Sequence, residues 1–327
     1  MENYKILNTK NILANIEKFK AKKICAMVKS DAYGHGMNEI VKIIEDNVDY
    51  FGVVSIREAV SVRKITDKPV LICSKVFDYK TCKNYDVDVM IDDEKDLLSA
   101  IENKNNIHLK INSGMNRFGI KGSVFMWQIN KILEQKEVDV KYLHTHFRET
   151  DSKRQTHKDY EKFLQIKSNL TKKIPICFGG SGVAKYDFEY DMIRLGIAMY
   201  GYGKGMKPVE EIVSYVSKIF YASRGETIGY NRAYKVKIGG LFAVVPVGYG
   251  DGLRRCLSGK FYVKINGKEY KSVGNICMDA FFVKVDEYVQ VGDEVVVMDN
   301  ANDLSDGTIN YEVLTDFSRF RGKIVVK

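Results

Sequence analysis

Eight short apolar runs recur through about the first two hundred residues, at 24–29, 50–55, 70–74, 87–91, 107–112, 140–147, 174–178 and 192–195. Segments with helical spacing lie between them, for example 94–101 and 125–133. Continuous apolar strands alternating with helices are the pattern of a parallel sheet covered on both faces. Eight such units match the count of a (β/α)8 barrel. An open, doubly wound sheet is the alternative that the same pattern permits.

After Tyr202-Gly-Lys-Gly205 the texture changes. The runs at 212–216, 241–245, 260–265 and 295–298 alternate or are β-branched, with glycine turns between them. Asn266-Gly267 is a type I′ hairpin signal, since both central residues of that turn need positive φ. The expected fold is therefore α/β: an N-terminal (β/α)8 TIM barrel over 1–209, then a mostly β C-terminal domain over 210–327. Residues 1–9 are free to pack with the second domain.

Composition narrows the function. The net charge of +9 comes from 51 basic and 42 acidic residues scattered as pairs and single positions, with no run of five or six. No nucleic-acid groove is indicated, because a basic balance alone speaks to solubility and nonspecific binding. No apolar stretch approaches the eighteen or so residues of a membrane span, and the N-terminus lacks a signal-peptide core. The six cysteines are widely spaced without a C-x-x-C, and Cys25, Cys73 and Cys177 lie inside apolar runs, where free cysteines pack as small hydrophobes. The expected location is cytoplasmic.

In a barrel, chemistry gathers at the carboxyl ends of the strands. There the first run ends in Lys29, the fifth leads into Asn112-Ser-Gly-Met-Asn-Arg117, and the sixth ends in His144-Thr-His146. The seventh ends at Gly179-Gly-Ser-Gly182 and the eighth at Arg194-Leu-Gly196. A strand-end lysine often only snorkels, but a desolvated one has a lowered pKa and becomes a nucleophile or base. The turns after strands seven and eight are where barrels commonly hold a phosphate. His144 and His146 share a strand face, yet nothing completes a three- or four-ligand metal set. No metal is expected: one imidazole is read as hydrogen-bonded in the site, the other as packed at its edge. A phosphate-bearing cofactor captured by a lysine points to pyridoxal 5′-phosphate.

The motifs laid out in order resemble the alanine racemase family over nearly the whole chain. They are Val28-Lys-Ser-Asp-Ala-Tyr-Gly-His-Gly36, Lys110-Ile-Asn-Ser-Gly-Met-Asn-Arg-Phe-Gly119, Thr145-His-Phe147 and Met192-Ile-Arg-Leu-Gly-Ile-Ala-Met-Tyr-Gly201. The second half adds Ile228-Gly-Tyr230, Pro246-Val-Gly-Tyr-Gly-Asp-Gly252, Val273-Gly-Asn-Ile-Cys-Met-Asp279 and Ile309-Asn-Tyr-Glu312. The resemblance implies a pyridoxal-phosphate amino acid racemase that interconverts L- and D-alanine and supplies D-alanine for peptidoglycan. Lys29 would hold the cofactor and act as one base, with Tyr230 as the opposed one. Tyr33, Ser181, the backbone of Gly196 and Ile197, and Tyr311 would bind the phosphate. Arg194 would donate to the pyridine nitrogen, and His146 would link Tyr230 to Arg194. Arg117 and the backbone at Met278 would hold the substrate carboxylate. Lys110 matches a lysine often carbamylated in the family, where it braces the arginine equivalent to Arg117; Tyr249 and Asp279 support the site. The family's tyrosine comes from a partner subunit, which implies a homodimer.

The chemistry is consistent with these residue types. Racemisation needs a base on each face, and lysine and tyrosine, both with ordinary pKa near 10, must each be lowered for use near neutrality. Departures from the family pattern are Asn275, Asn112, Gly180 and the segment Phe147-Arg-Glu-Thr-Asp151. They bear on access and substrate range, so serine or another small amino acid is the alternative substrate. A related barrel-fold decarboxylase is the alternative enzyme, although such enzymes place an acid, not an arginine, at the pyridine nitrogen.

Overall fold

In the computed structural model, which describes residues 1–19, 22–136 and 138–327, the eight apolar runs close into a parallel barrel. A short strand, β1 (Tyr4–Leu7), precedes it. The barrel strands are β2 (Lys23–Met27), β3 (Tyr50–Val53), β4 (Val70–Ile72) and β5 (Val87–Ile91). They continue as β6 (Ile107–Lys110), β7 (Val140–His146), β8 (Ile176–Gly179) and β9 (Met192–Leu195). Each pairs in parallel with the next, and β2 pairs with β9 in the register Cys25↔Arg194, which excludes the open sheet.

These strands lack polar alternation because both faces are covered: β4, β5, β6, β8 and β9 are buried at every position. The helices between them start where a short polar side chain satisfies a free backbone N–H. Ser55 accepts from Glu58 N, Asp93 from Asp96 N, and Ser152 from Gln155 N. Each such cap stabilises its helix by about 1 kcal/mol. Among the described residues no helix is long and apolar enough to cross a membrane.

The remaining strands are β10 (Glu210–Tyr215), β11 (Lys218–Ala222), β12 (Thr227–Ile228), β13 (Tyr234–Lys235) and β14 (Gly240–Val245). After them come β15 (Tyr262–Ile265), β16 (Lys268–Val273), β17 (Phe281–Val285), β18 (Glu294–Met298) and β19 (Lys323–Val326). Nine strands form one sheet in the order β11-β14-β17-β16-β15-β18-β10-β1-β19. The N-terminal β1 is inserted there, antiparallel to β10 and parallel to β19. Asn266 (φ 52°) and Gly267 (φ 76°) turn β15 into β16 with both φ positive, as the type I′ turn requires. Ala222, Ile228, Val236, Phe242 and Val273 form a buried cluster beside β12 and β13. This half also contains a helix, Asn310–Asp316, that sequence patterning did not indicate.

By internal contacts the chain divides into two compact units. One comprises 13–29 and 40–199, and holds the barrel; the other comprises 1–12, 30–39 and 200–327. The segment after Lys29 therefore belongs with the β-rich unit.

Candidate active site

Within the barrel unit, β2 ends two residues before Lys29. Burial is the main cause that lowers the Lys29 pKa, and the Arg117 and Arg194 guanidiniums lower it further against the opposing effect of Cys73 and Glu58. Lys110 ends β6 almost fully enclosed. Burial, then Arg194, brings its ammonium down to about 8, and it lies 5.2 Å from the centroid of the Phe118 ring.

The loop after β6 folds back so that Ile111 bridges Ile120, and Asn112 Oδ1 accepts from Gly114 N (3.1 Å) and Asn116 N (3.2 Å). This turn carries Arg117, exposed, to a small cleft lined by Lys110, Asn112, Phe118 and His146. Asn112 thus shapes the loop, where the sequence had shown only a departure from the family pattern.

Arg194 in β9 is buried, and a buried guanidinium stays charged. Its Nη2 donates to Thr145 O at 2.8 Å, and its Nη1 donates to His144 Nδ1 and lies 3.7 Å from Cys177 Sγ. His146 is neutral: burial first, then Arg194, Lys110, Arg117 and Lys29, pushes its pKa down to about 3. Arg194 and His146 converge over Gly179, where a Cβ would overlap both side chains. Next along the chain, Gly180 takes φ 95° and Ser181 opens a 3-10 turn, Ser181–Lys185. On the neighbouring strand, Gly196 and Ile197 follow β9 directly. The structure therefore brings Lys29, Lys110, Arg117, His146 and Arg194 to one rim. His144 is not packed at the edge of the site; it is fully buried between Arg194 and His108.

In the other unit, residues 30–33 form a left-handed turn, with φ between 53° and 57° at Ser30, Asp31, Ala32 and Tyr33. The Tyr33 ring lies 4.9 Å from that of Tyr200 and 6.0 Å from that of Tyr311, which sits in the first turn of the Asn310–Asp316 helix. Gly34 is required there: at φ 87° a Cβ would collide with the Leu314 carbonyl.

Tyr230 is 68% exposed. It follows Gly229 (φ 77°) and precedes Asn231 and Arg232, both at positive φ, and Asn275 Nδ2 donates to its carbonyl at 3.0 Å. The Met278 backbone carbonyl accepts from Gly250 N, and Tyr249 N donates to Cys277 O. Arg321, which sequence reasoning missed, clamps Asp251 through two bonds of 2.7 and 2.8 Å and reaches Asp279 at 2.8 Å. A grouping of potential metal ligands, Asp92, Asp93 and Asp96, already holds the Lys75 ammonium, 2.5 Å from Asp93 and bonded to Asp96.

The family model for the alanine racemase N-terminal domain matches residues 7–204, and that for the alanine racemase C-terminal domain matches 209–325. The chain belongs to the alanine racemase family. A Lactococcus lactis alanine racemase is 31% identical, over 94% of this chain and 94% of its own length. The crystal structure of the alanine racemase from E. faecalis superposes with a TM-score of 0.93 at 27% identity, covering all of this chain and 98% of that one. The Bartonella henselae alanine racemase, described with covalently bound pyridoxal phosphate, shares the fold at a TM-score of 0.91 and 22% identity, with both chains fully covered. As a member of the alanine racemase family the chain is an isomerase acting on free alanine.

Proposed function

We propose that this enzyme interconverts L- and D-alanine with pyridoxal 5′-phosphate held at Lys29, Lys29 and Tyr230 serving as the two bases. The observation that carries the reading is the convergence at one barrel rim of a lysine with a lowered pKa, a buried guanidinium and a neutral imidazole. The donor set suits the cofactor. An amine that deprotonates readily can capture an aldehyde, Arg194 can only donate, and the Gly180–Ser181 turn offers backbone and hydroxyl to a phosphate. When bound, the cofactor acts as an electron sink that eases loss of the substrate α-proton.

Lys29 takes or returns that proton on one face and Tyr230 on the other. Phosphate contacts fall to Tyr33, Ser181, Gly196, Ile197 and Tyr311. Arg117 and the Met278 backbone orient the substrate carboxylate; Tyr249 and Asp279 support that segment. His146, uncharged, passes a hydrogen bond toward Arg194 without adding positive charge. Lys110, with its pKa near 8, has neutral amine available to take up carbon dioxide as a carbamate. Tyr230 stands exposed on a strained turn, which suits a phenol offered to a second subunit, so the active form is a homodimer. The working division is a barrel domain over 1–209 and a β-domain over 210–327, and the setting is cytoplasmic supply of D-alanine for peptidoglycan.

Circular dichroism of L-alanine incubated with the cofactor-loaded protein tests the reading. Decay of the signal to zero is expected, and a stable signal would overturn it.

A further inference from the structure

Barrel interiors are ordinarily packed with branched aliphatic side chains. This one is crossed by a polar line. Arg194 Nη1 bonds His144 Nδ1, His144 Nε2 lies 2.7 Å from His108 Nδ1, and His108 Nε2 lies 2.9 Å from Asp88 Oδ2. Both histidines are fully buried and Asp88 is nearly so. The line runs from the second residue of β5 through β6 and β7 to Arg194 at the carboxyl end of β9.

Hydrogen-bond chemistry fixes its direction. A guanidinium has donors and no acceptor, so His144 Nδ1 must accept and its proton must sit on Nε2. That proton is given to His108 Nδ1, which must then be bare. The His108 proton therefore sits on Nε2 and is given to the Asp88 carboxylate. Two neutral imidazoles connect one buried cation to one buried anion, each donating in the same sense. Burial, with Arg194 and His108 beside it, holds the His144 pKa well below its ordinary value, in keeping with a neutral ring. Tyr142 stacks on His108 with centroids 5.5 Å apart, and Tyr50 packs edge-on at 5.9 Å, so the ring has little freedom to turn.

We propose that His108 and Asp88 are positioning residues for Arg194, acting through His144 as a one-way donor chain that fixes the guanidinium and supplies its counter-charge from within the barrel. This rests on reading Arg194 as the residue that faces the cofactor ring. A charge buried without its partner is strongly disfavoured, so the chain has to remain complete for Arg194 to keep its place.

The test has a structural arm and a kinetic arm. In protein labelled with ¹⁵N-histidine and free of substrate, imidazole NMR at neutral pH is expected to show His108 and His144 both neutral with the proton on Nε2. A proton on Nδ1 of either, or a charged ring, would overturn the proposal whether or not the protein racemises alanine. Conversely, a wild-type protein that leaves alanine unchanged would fail the functional reading and leave this arm intact.

Kinetically, His108→Leu breaks the chain and is expected to lower kcat about ten- to a hundredfold, the scale for losing a partner that orients a working group, with KM for alanine moving less than about threefold. His108→Gln, whose amide can accept from His144 and donate to Asp88, is expected to restore most of kcat. Asp88→Asn should lower kcat in the wild-type background and have little further effect beside Arg194→Lys. Additive losses in that double-mutant cycle, or equal losses for the leucine and glutamine variants, would show a role in folding alone and overturn the proposal.

Discussion

Glu210→Gln should make the protein more stable at pH 8 while leaving it nearly unchanged at pH 4.5. Glu210 is wholly enclosed, and among the described residues no group lies within hydrogen-bond distance of either carboxylate oxygen. Lys5 Nζ is 3.7 Å away and His35 Nδ1 3.8 Å away. Burial, offset only partly by Lys5, raises the carboxyl from an ordinary 4.5 to about 7. Between those values the folded protein keeps a proton that the unfolded chain has released, so unfolding free energy falls as pH rises. The contribution is complete below pH 4.5 and lost above pH 7, and it amounts to about 3 kcal/mol.

Glutamine cannot ionise and removes that slope. At pH 4.5 both proteins carry a neutral group beside Lys5, so their stabilities should agree within about 1 kcal/mol. At pH 8 the variant should lead by about 3 kcal/mol, because Lys5 keeps the Gly34 and Phe317 carbonyls as partners when the carboxylate is gone. His35, held neutral down to about pH 3 by burial, contributes a slope of the opposite sign below pH 6.5, but it is present in both proteins and cancels in the difference. Urea unfolding followed by far-UV circular dichroism at pH 4.5, 6 and 8 measures the difference. A gap that stays constant with pH would mean that Glu210 is ionised throughout in the folded state, and the reasoning would fail.

Lys29→Ala should abolish the visible absorbance of protein-bound pyridoxal phosphate and all racemisation; absorbance retained and fixed by borohydride at another lysine would refute the cofactor assignment. Tyr230→Phe should keep that absorbance while losing deuterium exchange from one alanine enantiomer far more than from the other, and equal losses would argue against two opposed bases. Because burial and Arg194 bring Lys110 down to about 8, its neutral amine fraction grows as pH rises through that value. With ¹³C-bicarbonate, a carbamate NMR signal absent from Lys110→Ala should grow between pH 7 and 9, and a flat signal would refute it.

The barrel was legible because a parallel sheet buried on both faces must read as uninterrupted apolar runs, and each of the eight runs became a strand. The Asn266-Gly267 hairpin was legible because few residue pairs tolerate two positive φ values in succession. What stayed hidden depends on distance along the chain. Nothing local in Tyr4–Leu7 says that it will pair with β10 and β19, and a seven-residue helix, Asn310–Asp316, is too short for its period to register. Arg321 looked like any basic residue near a terminus, since its acidic partners lie far back in the sequence. The line through the barrel did leave a trace. Asp88 is the single titratable residue of β5, and His108 is the one titratable residue of β6 before its terminal Lys110. One buried polar residue in a strand is a cost; two on neighbouring strands can be partners, and Asp88 lies two residues before the Met90 that pairs with His108.

The turn after Lys29 shows how such costs are met. Four L-residues, Ser30 to Tyr33, sit at φ near 55°, a region that costs roughly 1–2 kcal/mol for each. Strain of that kind persists only where the surroundings over-determine it, and here they do. Gly34 N bonds Ser30 O, Gly36 N bonds Asp31 O, and the Asp31 carboxylate accepts from Met37 N at 2.7 Å. His35 Nδ1 lies 3.1 Å from Ala32 O, and Lys5 bonds the Gly34 and Phe317 carbonyls. The Tyr33 ring is packed on Tyr200, itself fully buried. The compensating contacts therefore hold a chain direction that the backbone alone would not choose, and they do so within four residues of the amine on which the proposed chemistry depends.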